Sequence, residues 1–288
     1  MRSKAILLAL LLVTVFSLLA LGHLRPDKMT PGELNAHLNS LPVDAPLEEE
    51  AKALARRLSK GDEFVAELLC WHAEAKDTDF LLVYNSGGLG GSAMIDDPEW
   101  PSVMEGIIKT LNDLNYRSKI VEHQRASYDA VGFLETVRDI TLTYSTTAPE
   151  LAAKVAFLTK YNPDIRILIT GRSNGAVFIS EVIGILGDNR RVYSIQAGYP
   201  AGYDPDLETG QRTLLINENQ WGTDALSKRD FWSIIRANIG RIPSISPSEK
   251  GSLQILRWHL KVPGHAYTWN DSVVSSDITD FLVSNFGD

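Results

Sequence analysis

Short apolar runs alternate with helical patterns along most of the chain, and this alternation predicts its secondary structure. The apolar runs predict strands near residues 80–85, 118–123, 166–170, 192–197, 213–217 and 253–258. The helical patterns predict helices near residues 101–115, 128–142, 148–161, 176–186 and 228–239, a last helix near the C-terminus, and two early helices in "LEEEAKALARRLSK" and "DEFVAELLCWHAEA". This order is typical of an α/β fold with a mostly parallel sheet and helices on both faces.

The first residues differ from the rest, because Arg2 and Lys4 precede an apolar run from Ala5 to Gly22. The run is longer than the core of an ordinary signal peptide, about 7 to 15 residues, and it just reaches the length that can span a bilayer. We therefore expect residues 1–22 to anchor the protein in a membrane, with cleavage near Gly22 and export as the alternative. The basic N-terminus favours a cytoplasmic start, which places the folded domain on the far side of the membrane.

Residues 23–46 are rich in proline and poor in apolar side chains, which predicts a linker to a single domain over residues 47–288. The composition, 44% hydrophobic and 22% charged, is that of an ordinary globular protein. The net charge of −8 and the lack of a dense Lys/Arg stripe argue against nucleic acid as a partner. The single cysteine, Cys70, lies in an apolar helical pattern and is expected to be a packed thiol. Neither a metal nor a cofactor is expected.

The stretch "RILITGRSNGAVFISEVI" combines a strand pattern, a serine between two glycines and a helix pattern. Gly171 and Gly175 allow the backbone to turn sharply, so that the hydroxyl of Ser173 is held out above the sheet. This is the local structure that a nucleophile elbow requires. Ser173 is therefore predicted to be a catalytic nucleophile.

A serine hydroxyl is a poor nucleophile at neutral pH unless a base takes its proton, so a histidine is expected downstream. His265 follows the last predicted strand, in a loop after Pro-Gly, where it is free to reach the rim of the sheet. We predict that it is the base. Structural roles are expected for the remaining histidines: His23, His37, His72, His123 and His259.

The acid that orients the base is expected after the strand in "RTLLINENQWGTDALSK", since loops at one end of a parallel sheet meet in one crevice. Asp224 lies in the loop proper and is favoured. Glu218 leaves the strand directly and remains the alternative acid. A purely structural role for Asp224 would be that of an N-cap for the helix that follows.

Backbone N–H groups are also needed to stabilise an oxyanion. One is expected from Asn174, the residue after the nucleophile. The others are expected from Gly88 and Leu89 in "LLVYNSGGLGGSAM", where the glycines let the backbone approach a substrate carbonyl.

The region from about residue 79 to 288 resembles the α/β-hydrolases in "NSGGLGG", "GRSNG" and "GHAYTW", and it is lipase-like in "LAAKVAFLTKYNPDIRILITGRSNGA". The resemblance implies a serine hydrolase that cleaves an ester-type acyl bond in a small-molecule or lipid substrate through an acyl-enzyme. The chain departs from many lipases at Arg172, where they carry histidine. It also departs in the long "NENQWGTD" loop that holds the predicted acid.

Two other functions fit parts of the same sequence. Residues 88–93, "GLGGSA", also match a dinucleotide-binding loop, which would make the protein an NAD(P)-dependent oxidoreductase. Against this, the acidic "MIDDPEWP" follows where a helix should begin, and an exported domain would be separated from the cytoplasmic nicotinamide pool. The other alternative is a non-catalytic binding protein that has kept a hydrolase fold.

Overall fold

The computed structural model describes residues 32–34, 46–88, 90–126, 144–145, 147–200, 210–238 and 262–287. The predicted membrane segment over residues 1–22, the predicted helix near 128–142 and the predicted strand near 253–258 lie outside these ranges. So does Leu89, and so do His23, His37 and His259. Among the helices that are described, none is both long enough and apolar enough to cross a bilayer.

Five strands form one fully parallel sheet in the order β2-β1-β3-β4-β5. Their bounds are β1 Phe80–Asn85, β2 Ser118–His123, β3 Arg166–Arg172, β4 Val192–Ala197 and β5 Thr213–Ile216. A short antiparallel hairpin follows, formed by β6 Glu218–Asn219 and β7 Gly222–Thr223. The parallel α/β architecture predicted from the sequence is confirmed, and each of the five strands lies where its apolar run predicts it.

Seven helices are described: α1 Leu47–Arg57, α2 Asp62–Ala75, α3 Trp100–Asp113, α4 Ala148–Tyr161, α5 Asn174–Leu186, α6 Phe231–Asn238 and α7 Ser272–Phe286. Helices α1, α2, α4 and α5 share one hydrophobic core with one face of the sheet, and α3 and α7 share a second core with the other face. The predicted cover of both faces is therefore confirmed. Strand β1 is buried along its whole length, as expected for a central strand of a parallel sheet.

One prediction about the helices is wrong. Cys70 is exposed rather than packed in the core. The buried side chains of α2 form a stripe with helical spacing that includes Leu68 and Trp71, and Cys70 lies off that stripe. The apolar composition of α2 therefore did not identify which face of the helix is buried.

The strand order creates a crevice at one edge of the sheet. Strand β1 leads to α3 on one face, whereas its neighbour β3 leads to α5 on the other face. Connections that leave adjacent parallel strands in opposite directions open a crevice at the carboxyl ends of those strands, where ligands bind in open α/β sheets. The segment after β1 and the turn at Ser173 border this crevice.

Candidate active site

Ser173 occupies the turn between β3 and α5 with φ 55° and ψ −126°. A positive φ at a residue with a Cβ costs roughly 1–3 kcal/mol and persists only where the surroundings fix it. Here the Ser173 N–H donates to the carbonyl of Ala197 at the end of β4, over 2.8 Å. The strained strand–turn–helix geometry of a nucleophile elbow is therefore present at this serine.

The glycines on either side of Ser173 allow this turn to pack against the end of β1. A Cβ at Gly171 would lie 2.9 Å from the carbonyl oxygen of Asn85, and one at Gly175 would lie 2.8 Å from that of Ser86. Real Cβ atoms do not approach backbone oxygens so closely. The glycines thus have a second role beyond the turn itself, since they bring Ser173 next to the loop that follows β1.

Asp224 and His265 are in direct contact. Asp224 is completely buried, and its Oδ2 lies 2.5 Å from Nδ1 of His265. Its other oxygen, Oδ1, accepts the backbone N–H of Leu226 over 2.7 Å. Glu218 is exposed instead, and its carboxylate accepts the hydroxyl of Thr223 over 2.9 Å. Of the two acids considered from the sequence, the structure brings Asp224 to the histidine.

The loop that carries His265 is held by a residue that the sequence did not single out. The side-chain amide of Asn219 donates to the carbonyls of Gly264 and Ala266, over 2.9 and 2.8 Å. These carbonyls lie on either side of His265 in the chain. Gly264 has φ +74°, and a Cβ there would lie 2.7 Å from the carbonyl oxygen of Thr223. The acid loop and the histidine loop are thus packed backbone against backbone.

Ser173 and His265 both lie against the backbone at the end of β4. Ser173 is hydrogen-bonded to Ala197, and the next residue, Gly198, supports the ring of His265. A Cβ on Gly198, which has φ +61°, would lie 2.6 Å from Cε1 of His265 and 2.9 Å from Oδ2 of Asp224. Serine, histidine and aspartate therefore surround one short stretch of backbone.

The segment after β1 approaches the turn at Ser173 from the other side. The side-chain amide of Asn174 donates to the carbonyl of Gly88, over 3.2 Å. Arg125 holds this segment through two hydrogen bonds. Its backbone N–H donates to the carbonyl of Gly90 over 2.9 Å, and its guanidinium donates to the carbonyl of Ser86 over 2.6 Å. Two of the three predicted oxyanion residues, Asn174 and Gly88, are thus adjacent, and the third lies outside the described residues.

Arg172, the position at which the chain departs from many lipases, is part of an ion-pair network. Its guanidinium donates to Glu99 over 2.6 Å and to both carboxylate oxygens of Asp97 over 3.2 Å. Glu99 also accepts the backbone N–H of Tyr267 over 3.2 Å. The residue before Ser173 is therefore linked to the segment that carries His265.

Tyr267 makes the remaining contact to the acid. Its hydroxyl donates to Oδ2 of Asp224 over 2.7 Å, and its side chain is completely buried. Burial raises the pKa of Tyr267 well above its ordinary value, and the Asp224 carboxylate raises it further. The only hint in the sequence was the position of this tyrosine two residues after His265, in "GHAYTW".

The glycine-rich loop after β1 lacks the geometry of a dinucleotide site. A single turn of 3₁₀ helix, Met94–Asp96, follows it, and α3 begins only at Trp100. In dinucleotide-binding loops the glycines open the helix directly, so that its N-terminus faces the pyrophosphate. The loop instead packs against the turn at Ser173.

Comparison with models of protein families finds no match, and comparison with curated proteins finds none. Comparison with solved structures finds Trichoderma reesei cutinase in complex with a C11Y4 phosphonate inhibitor, at 12% sequence identity and a TM-score of 0.45. The match covers 88% of this chain and 99% of that chain. The parallel sheet with helices on both faces is the architecture that the resemblance to the α/β-hydrolases implies.

Proposed function

We propose that the protein is a serine hydrolase that cleaves ester-type acyl bonds through an acyl-enzyme on Ser173. The observation that carries the proposal is the strained serine that follows β3 together with a histidine, packed against the same end of β4, whose Nδ1 contacts a buried aspartate. A histidine held in this way accepts a proton through Nε2, while the carboxylate stabilises the imidazolium that forms. The same arrangement has no evident use in a binding protein.

In the proposed reaction Ser173 Oγ attacks the acyl carbon as its proton passes to His265. The backbone N–H groups of Asn174, Gly88 and Leu89 are the proposed donors that stabilise the resulting oxyanion. The tetrahedral intermediate collapses to the acyl-enzyme, and the alcohol leaves with the proton from His265. Water then attacks the acyl-enzyme as its proton passes to His265. The second tetrahedral intermediate collapses, the carboxylic acid leaves, and His265 returns the proton to Ser173.

A fluorophosphonate probe tests this function, because only an activated serine reacts with it. The wild type should be labelled, and Ser173→Ala should fold normally, lose the label and hydrolyse activated esters several orders of magnitude more slowly. Ser180→Ala is the matched control, since Ser180 lies in α5, the helix that follows Ser173, and its hydroxyl donates to Gln196. Full activity of Ser173→Ala would exclude the mechanism, and an unlabelled, inactive wild type would favour the non-catalytic alternative.

The substrate class follows from the proposed chemistry rather than from a specific contact. We propose a small-molecule or lipid acyl ester as substrate. Rates on p-nitrophenyl esters of graded chain length test this proposal. A preference for long acyl chains would favour a lipid, and a preference for short chains a small soluble ester.

We also propose that residues 1–22 hold the domain at the outer side of a membrane, on the basis of the sequence alone. Fractionation and added protease test this in cells that express the full chain. The protein should sediment with membranes and be digested only from the extracytoplasmic side. A soluble mature form that begins near residue 23 would show export after cleavage instead.

A further inference from the structure

Tyr267 and His265 share one oxygen of the candidate acid. Oδ2 of Asp224 lies 2.5 Å from Nδ1 of His265 and accepts the Tyr267 hydroxyl over 2.7 Å. The other oxygen is occupied by the Leu226 N–H, over 2.7 Å. The carboxylate therefore has three partners in three directions and cannot rotate about its Cβ–Cγ bond without losing one of them.

The position of Tyr267 is itself fixed. Its backbone N–H donates to Glu99 over 3.2 Å, and Glu99 is paired with Arg172 over 2.6 Å. Its ring packs edge-on against that of His265, with centroids 5.8 Å apart and an angle of 78°. The phenol is thus aimed at Asp224 from a backbone that is tied to the strand before the nucleophile.

From these contacts we propose that Tyr267 is a positioning residue of the Ser-His-Asp triad, acting through Asp224. The inference rests on the proposed function for its catalytic consequence, but not for its effect on the His265–Asp224 contact. A hydrogen bond from the phenol withdraws charge from the carboxylate oxygen that faces His265. It therefore both orients the acid and limits how strongly the acid stabilises protonated histidine.

The expected result of removing the hydroxyl follows from this. In Tyr267→Phe the Asp224 carboxylate keeps more of its charge and therefore stabilises the imidazolium more strongly. The acidic limb of the kcat/KM profile should move upward by roughly 0.5–1 pH unit. The maximal kcat should fall roughly tenfold, because the acid is less well oriented, while KM should change little. Within the described part of the chain, Glu99, Arg172 and Asp97 form a charged network that reaches Tyr267 through its backbone, and the substitution leaves this network in place.

A matched control is available at the far end of the sheet. The hydroxyl of Tyr116 donates to the carbonyl of Phe286 over 3.3 Å, away from the crevice. Tyr116→Phe should lose a comparable hydrogen bond and leave the pH profile of the wild type unchanged. A similar shift of the pH profile in Tyr116→Phe would mean that the change in Tyr267→Phe comes from a general loss of stability.

A second variant keeps the inference testable if Tyr267→Phe does not fold. Difluorotyrosine, introduced at position 267 by genetic encoding, keeps the ring and makes its hydroxyl a stronger donor. The acidic limb should then move to lower pH, opposite to the change in Tyr267→Phe. Equal profiles for wild type and both variants would overturn the inference.

Proton NMR of the His265 ring separates this inference from the proposed function. The Nδ1 proton shared with Asp224 should give a far-downfield resonance, and its chemical shift and pH titration should change in Tyr267→Phe but not in Tyr116→Phe. If the wild type neither hydrolyses esters nor reacts with fluorophosphonate, the proposed function fails while this test still stands. An unchanged resonance in Tyr267→Phe, with an active wild type, would refute the role of Tyr267 alone.

Discussion

The two oxygens of Asp224 serve different partners. Oδ1 accepts the N–H of Leu226 two residues later, which is the local bond expected of an aspartate that begins a turn. Oδ2 faces His265 and Tyr267. The structural role and the proposed catalytic role are therefore not exclusive, and only a substitution that keeps one of them can separate them.

Asp224→Asn makes that separation, because an amide oxygen can still accept the Leu226 N–H. The amide carries no charge to stabilise an imidazolium, so turnover on an activated ester should fall on the order of 10⁴-fold, as for the same substitution in a serine protease triad. Thermal melts should show a much smaller effect.

Glu218→Gln is the paired variant. Glu218 is exposed, and its carboxylate bonds Thr223 rather than His265, so the turnover of Glu218→Gln should remain within about twofold of wild type, as is usual for an exposed substitution. An inactive Glu218→Gln together with an active Asp224→Asn would assign the role of the acid to Glu218 instead of Asp224.

At the scale of elements, the site depends on backbone packed against backbone where several loops meet. Gly198 is the clearest case, because it lies at the end of β4 beneath His265 and Asp224. Asn219, in the hairpin of β6 and β7, donates two hydrogen bonds to the loop that carries His265. Its next residue, Gln220, donates to Asp271, the N-cap of α7. The histidine loop is thus enclosed by β4, the hairpin and the start of the last helix.

Gly198→Ala should displace the histidine, because the new Cβ would lie 2.6 Å from its Cε1. We expect kcat/KM on an activated ester to fall roughly a hundredfold, the cost of about an ångström of misplacement in a catalytic group. The measurement is steady-state kinetics together with a thermal melt.

Gly210→Ala is the matched control for that variant. Gly210 also has a positive φ, +53°, but a Cβ there would have nothing within 4 Å. Both variants carry the strain of an alanine in the left-handed region, about 1 kcal/mol, and only Gly198→Ala meets the ring. Equal losses of activity in the two variants would contradict the proposed packing role.

The strands and the turn at Ser173 could be predicted because their patterns are local. An apolar run and a pair of glycines specify β3 and its turn without information from the rest of the chain. The hairpin could not be predicted in this way, since each of its strands has two residues and so shows no periodicity. The contacts of Asn219, Glu99 and Tyr267 were missed for a related reason: they form between segments far apart in sequence.

At the scale of the whole molecule, the sheet separates two hydrophobic cores, and one of them encloses a histidine. His123 ends β2 with its side chain buried, its ring stacked on Phe178 with centroids 5.7 Å apart and edge-on to Trp71 at 6.3 Å. Neither ring nitrogen has a hydrogen-bond partner within the described ranges. The sequence-based expectation of a structural role fits this position.

The charge state of His123 is set by its surroundings. Burial is the largest of the effects that together lower the pKa of His123 to about 3; Lys154, Arg125 and Lys60 act in the same direction and Glu150 in the opposite one. In the unfolded chain the ordinary value is about 6.5. Between these two values the unfolded state binds a proton that the folded state does not, so the free energy of unfolding falls as the pH falls.

His123→Phe should remove this proton linkage while keeping an aromatic ring against Phe178. For the wild type, one extra proton bound by the unfolded chain reduces the free energy of unfolding by up to about 1.4 kcal/mol per pH unit below the unfolded value. Urea denaturation at pH 7.5, 6.5, 5.5 and 5.0 should therefore give a slope that is shallower in His123→Phe by roughly 1 kcal/mol per pH unit over the acidic part of this range. Above pH 7 the unfolded histidine is uncharged as well, so the two proteins should there differ by a constant amount. Parallel curves down to pH 5 would mean that His123 takes up its proton equally in both states, and that the core does not exclude the charged ring.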